Sequence, residues 1–264
     1  MIDNFKEGVD TYEVLSYTSK RENLINQLIA QAIQYGLDGI NVDFEKLSSE
    51  TGIHFIEFVR ELSIKCRSNN LVLSVDNYVP KAYSSHYYRA EQGVVADYVI
   101  IMGYDEHFAG SEESGSVASI GFVRDGIEQT LAEVPAEKVI NAVPFYTRLW
   151  QETPKTEEEI AAEDTTAVDY KYIPYKLSSQ ALGMQAVEDV LTANGATPTW
   201  DDTTGQYYAE FEKDGSTFKV WMEEEKSIEE KAKLLKEYNL AGIAEWKLGL
   251  EKSSIWDIIL KYVN

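Results

Sequence analysis

The sequence predicts an α/β domain built on a parallel sheet covered by helices. Three observations carry this. Short runs rich in Val, Ile and aromatic residues alternate with stretches of helical periodicity. The runs are apolar almost throughout, as strands buried on both faces are. Two of the helical stretches open on the Ser-x-x-Glu pattern of a capping box, Ser19 to Glu22 and Ser227 to Glu230.

Taken in order, strands are expected at 38–45, 71–77, 96–104, 138–146 and 240–246, each bounded by polar or glycine-containing segments. Helices are expected at 19–35, closing before Gly36, and at 50–68, where Ile53, Ile56, Phe58 or Val59, and Leu62 form an apolar stripe. Others are expected at 120–133, 228–239 and 253–262. The segment 151–225 breaks the rhythm. It begins with an acidic stretch, Glu157 to Asp164, read as a solvated helix face, and continues with a helix near 178–194. A hairpin follows, with Tyr207–Phe211 and Thr217–Met222 flanking a turn at Asp214-Gly215. Residues 151–225 are therefore expected to form an insertion in one loop of the α/β domain.

With 264 residues, 44% apolar and 26% charged, the chain has material for a sizeable core, which excludes intrinsic disorder and collagen-like repeats. Acids outnumber bases 45 to 24, a formal charge of −21. Such a surface repels a phosphate backbone and anionic lipid, so no nucleic-acid partner is expected. No apolar run reaches the ~18 residues of a membrane span, so no membrane insertion is expected either. The opening Met1-Ile2-Asp3-Asn4 has neither the basic nor the apolar region of an export signal. The one cysteine, Cys66, excludes an intramolecular disulfide and reads as a buried, inert thiol on the 50–68 helix.

Chemistry concentrates in Asp38-Gly39-Ile40-Asn41-Val42-Asp43-Phe44-Glu45. On a strand, Asn41, Asp43 and Glu45 share one face while Val42 and Phe44 take the other. Asp43 and Glu45 then stand roughly 6–7 Å apart at Cα. Two carboxylates so close on a poorly solvated face cannot both ionise freely, so one keeps a proton near neutral pH and can deliver it to a leaving-group oxygen. Solvated acids at a strand end are common in a chain with 45 of them, but three polar side chains on one face of an apolar strand are not. His54, His86 and His107 lack metal-ligand spacing, and nothing builds a zinc, calcium or phosphate site, so no cofactor is expected.

D-G-I-N-V-D-F-E resembles the D-x-x-D-x-D-x-E signature on the fourth strand of glycoside hydrolase family 18, the chitinase-type TIM barrels. Met102-Gly103-Tyr104-Asp105 resembles that family's sixth-strand motif, Pro144-Phe145-Tyr146-Thr147-Arg148 its seventh, and Trp246 its eighth-strand tryptophan. Within the family the wording is similar to that of bacterial spore-cortex and cell-wall N-acetylglucosaminidases. Asn41 stands where the chitinase pattern has Asp. The resemblance implies a TIM (β/α)8-type barrel with a small α+β insertion between its last two strands. It implies cleavage of β-1,4 linkages in N-acetylglucosamine polymers, peptidoglycan ahead of chitin, by substrate-assisted retention. Glu45 would be the general acid and base, Asp43 would orient the acetamido group, and Tyr104 would hydrogen-bond it. Asp105, Tyr146 and Arg148 would bind sugar hydroxyls or the neighbouring residue, and Trp246 would stack on the sugar. Asn41, Asp38, Met102 and Asn77 are further candidates for the substrate site, although Met102 reads first as a barrel-core residue. Asp76 and Asn77 end their strand at the expected rim, and His107 follows Asp105 there. An extracellular, cell-envelope or spore location is implied. The other readings are a lectin-like sugar-binding protein and an inactive, shortened barrel.

Length bears on the barrel. Without the insertion 189 residues remain, about six βα units at roughly 31 residues each. The fourth-strand motif begins at residue 38, and Met1–Phe5 looks like the tail of a third strand. The expectation is an open barrel lacking the first two βα units, with strand edges free to self-associate.

Overall fold

The structure, a computed structural model, describes residues 1–162 and 171–263. Glu163 and Asp164, the end of the acidic stretch, lie outside the described residues. The chain opens with β1 (Ile2–Asp3), α1 (Thr11–Ser16) and α2 (Thr18–Gln34). Asp10 caps α1 by accepting from the backbone N–H groups of Tyr12 and Glu13. Next come β2 (Gly39–Asp43), α3 (Ser49–Ser68), β3 (Val72–Tyr78), α4 (Arg89–Val95), β4 (Tyr98–Met102), α5 (Ile120–Leu131) and β5 (Val139–Pro144). The rhythm then changes to β6 (Tyr146–Pro154), α6 (Glu157–Ala161), β7 (Tyr175–Gly183), α7 (Met184–Ala193), β8 (Thr199–Asp201), β9 (Gln206–Lys213) and β10 (Ser216–Met222). It returns with α8 (Glu225–Glu237), β11 (Gly242–Trp246) and α9 (Ser254–Val263).

β1, β2, β3, β4, β5 and β11 form one parallel sheet in that order. Six strands with helices between them are the open TIM-type barrel that the motifs imply. The antiparallel sheet, β7-β6-β10-β9-β8, leaves the chain between β5 and β11. The helix-facing side of β2 is apolar: Val42 is fully buried, and Phe44, just past the strand, stacks on Phe58 of α3 at 5.6 Å. Ser48 caps α3 through Thr51 N–H, and its buried stripe of Phe55, Ile56, Phe58, Val59, Leu62 and Cys66 follows helical spacing. At the junction of the two sheets, Glu223 and Lys231 form an ion pair of 3.0 Å with both side chains fully buried. Gln206 of β9 and Ser227 of α8 also donate to that carboxylate.

Several expectations change. Ser19 does not cap α2: the helix starts at Thr18, its N-cap is Tyr17, and no side chain closes it. The second capping box runs the other way, with Glu224 as N-cap and Ser227 as its third-residue partner, so α8 starts earlier than expected. The run 138–146 is two strands broken at Phe145, and the second, β6, belongs to the other sheet. Residues 178–183 are strand rather than helix, because β7 pairs with β6 from Tyr175 to Gly183. The hairpin forms where expected, with Asp214 and Gly215 both at positive φ (50° and 76°).

Candidate active site

Parallel strands deliver their last residues to one rim. Asp43 ends β2, Tyr78 ends β3, Met102 ends β4 and Trp246 ends β11, with Tyr104 and Asp105 following β4 and Tyr146 opening β6. Together with Met1, Asp3, Phe5 and Glu45 they line a cavity of about 310 Å³. Of the expected residues, the cavity gathers Glu45, Asp43, Tyr104, Met102, Asp105, Tyr146 and Trp246.

Asp43 is 8% exposed, and its Oδ1 is sealed from solvent without a hydrogen-bond partner. Burial, then the charges of Glu45 and Asp3, push its carboxyl up to about 6. Glu45 does not continue the strand as expected: β2 stops at Asp43, and Lys46 at φ 52° turns the chain away. Two contacts fix Glu45 instead. The Asn4 amide accepts from Glu45 N–H and donates to Glu45 C=O, both at 2.9 Å. Tyr78 donates its hydroxyl to Glu45 Oε2 at 2.8 Å and accepts from Lys46 N–H at 3.0 Å. Tyr104 is held neutral, since burial and then Asp76, Asp43, Asp105 and Glu45 all raise its phenol. Its ring packs edge-on against Tyr146 at 6.3 Å, and Tyr146 donates to Asp105 Oδ1. Trp246 keeps 41% of its surface open.

Arg148 lies one step away. It lines an adjoining cavity of about 340 Å³ that shares Asp105, Tyr146 and Trp246 with the first. It donates to Ser179 Oγ at 3.0 Å, while its Nε is buried without a partner. Asn41 donates to Ser74 Oγ and Asp76 Oδ1 (3.0 and 2.8 Å), so it serves the neighbouring strand and does not line the cavity. Two expected residues are elsewhere. Asp38 is exposed at the amino end of β2, where its carbonyl accepts from Val72 N–H, opposite the rim. Asn77 is 1% exposed and exchanges hydrogen bonds with the Gln92 amide, because strand alternation turns it toward the helices. His107 Nδ1 lies 2.8 Å from Ser116 C=O, outside both cavities.

Sequence reading missed Asn4 and Tyr78. Tyr78 had a signal: it lies two residues beyond Asp76 on the same strand face. Asn4 had none, since its contact with Glu45 spans 41 residues. Among the described residues no group of three His, Cys, Asp or Glu is placed to hold a metal ion, and no helix is long and apolar enough to cross a membrane.

Carboxylates carried on barrel strand ends beside an open indole face point to the carbohydrate-active barrels as a class. The chain belongs to the glycosyl hydrolases family 18, whose sequence model matches residues 3–251. It is 27% identical over 263 residues to the cortical fragment-lytic enzyme of Bacillus subtilis, covering 95% of this chain and 56% of that protein. The chain thus spans about half the length of the curated relatives it matches first. Its fold is similar to that of the spore cortex-lytic enzyme SleL of Bacillus megaterium, with TM-score 0.82, 22% identity, and coverage of 99% of this chain and 58% of that one. It is also similar to a chitinase from Chromobacterium violaceum, with TM-score 0.83, 24% identity, and coverage of 99% and 78%.

Proposed function

We propose that this chain is a glycoside hydrolase that cleaves β-1,4 linkages of N-acetylglucosamine-containing polymers, with peptidoglycan ahead of chitin. The observation that carries it is Glu45 held at the cavity by Asn4 and Tyr78, next to a buried Asp43 with a free oxygen. Glu45 protonates the glycosidic oxygen as the C–O bond to the leaving sugar breaks. The substrate's own acetamido oxygen bonds to the anomeric carbon, so the enzyme needs no nucleophile. Asp43 balances the positive charge that grows on the acetamido nitrogen, and Tyr104, kept neutral, donates to the acetamido oxygen. Water then opens the cyclic intermediate, giving its proton to Glu45. The exposed face of Trp246 suits the C–H face of a pyranose. Similarity to a cortical fragment-lytic enzyme supports peptidoglycan as the first substrate to try.

The test is release of reducing ends from cortex-type peptidoglycan and from chitooligosaccharides. Glu45→Gln is expected to lower kcat by about 10²–10⁴-fold with little change in oligosaccharide affinity; undiminished turnover in that variant overturns the assignment. A second reading, sugar binding without hydrolysis, draws support from the open sheet, in which β1 and β11 are separate edges. Calorimetric binding by the wild-type chain with no product formed would select it.

A further inference from the structure

Within the parallel ladder, Asn41 pairs with Ser74 and Val42 with Val75. One residue further along this register, Asp43 comes beside Asp76, while on its other side Asp43 pairs with Asp3 of β1. Neighbouring strands lie about 4.8 Å apart and register partners point to the same face. A row of three carboxylates therefore crosses β1, β2 and β3 on the cavity side of the sheet. Its members are not equivalent. Asp3 is exposed and accepts from Phe5 N–H at 3.0 Å. Asp43 is nine-tenths buried with an unpartnered Oδ1. Asp76 is anchored by Asn41 Nδ2 at 2.8 Å, and its register partner on β4 is the apolar Ile100.

The charged and titratable groups around the Asp43–Asp76 pair are Asp3 on β1, Glu45 after β2, Tyr104 after β4 and the amino group of Met1. Apart from that amino group, none of them can supply a balancing positive charge. Two adjacent carboxyls in such surroundings share one proton rather than both ionising.

We propose that Asp76 is the positioning residue for Asp43: anchored by Asn41, it holds a proton that it offers to the free Oδ1 of Asp43, keeping Asp43 a single, oriented carboxylate at the cavity. The place of this pair in the reaction rests on the glycosidase reading above, but the shared proton does not. No net proton is consumed, since the pair keeps its own while Glu45 donates and regains another. Burial raises both carboxyls of the pair. Burial pushes Asp76 up to about 7, with the Asn41 bond opposing and Asp43 and Glu45 adding, whereas Asp43 reaches about 6. The position that has lost an acid, Asn41, is thus the one that holds an acid supplied from the next strand.

Two measurements test this. In kinetics, Asp76→Ala removes the donor and is expected to lower kcat at least about tenfold, the worth of one charge-assisted hydrogen bond, with KM little changed. Asp76→Asn, which keeps a neutral donor, is expected to recover much of that loss and to abolish the alkaline fall of the pH profile near 7. Thermal melts confirm that both variants fold. An Asn variant with the wild-type pH profile, or no better than the Ala variant, overturns the proposal. In carbon-13 NMR of the aspartate carboxyls, without substrate, Asp43→Asn is expected to move the Asp76 midpoint down by about one pH unit, the small end of what a nearby charge does. An unmoved midpoint overturns the proposal. A moved midpoint in a protein that hydrolyses neither glycan upholds the shared proton and refutes the glycosidase reading.

Discussion

Tyr78 shows how one hydroxyl can set the proposed catalytic acid. It donates to Glu45 Oε2 and accepts from the next backbone N–H, so it holds both the carboxylate and the turn behind it. Tyr78→Phe is expected to lower kcat about tenfold, as loss of one hydrogen bond does, with an unchanged melting temperature marking an intact fold. Asp43 makes an opposite demand. Its folded pKa is raised from 3.8 to about 6, so ionising it costs more in the folded chain than in the unfolded one. That penalty is absent below the unfolded value, grows as pH rises between the two, and is complete above the folded value. Asp43→Asn is accordingly expected to raise the melting temperature at pH 8 while abolishing turnover, and to leave it nearly unchanged at pH 3; equal gains at both values would refute this electrostatic account. Alternation along one strand made Asp43 and Glu45 legible in the sequence. The same alternation, continued from Asp76, separates Tyr78 from Asn77, but the expected strand stopped one residue short of it.

Among the elements, β7 and α8 show where local pattern yields to tertiary contact. Residues 178–183 contain Gln, Ala and Leu, good helix formers, yet pairing with residues 146–151 of β6 makes them strand. The hairpin at Asp214-Gly215 was readable because its turn chemistry is local, whereas a partner strand some 30 residues away leaves no local mark. At α8 the Ser-x-x-Glu pattern was a decoy, because Glu224 already closes the helix by accepting from the N–H groups of Lys226 and Ser227. This cap sits next to the buried Glu223–Lys231 pair that couples α8 to β9 and β10. Lys231→Ala strands a buried carboxylate and is expected to cost about 3–5 kcal/mol in denaturant unfolding. Pairing it with Glu223→Gln is expected to return part of that cost; a single variant as stable as wild type would show that the pair contributes nothing.

For the whole molecule, the arrangement of βα units was legible because four of the strand ends carry their own motif, and all four motifs meet at a single cavity. The two free edges of the sheet differ, since β1 has two residues and β11 five. The surplus of 21 negative charges favours solubility and leaves the site to a few strand-end residues. One contact ties this large scale back to the smallest. The amide and carbonyl of Glu45 are bonded to a side chain that directly follows the two-residue strand β1. Fluctuations that detach residues 1–5 would free the proposed acid while the core stays folded. The Glu45 amide should then exchange with deuterium through a low-energy local opening, together with the amides of β1 and well before those of β3 and β4. Exchange of Glu45 at the rate of the β3 amides would show instead that the acid is fastened by the global fold.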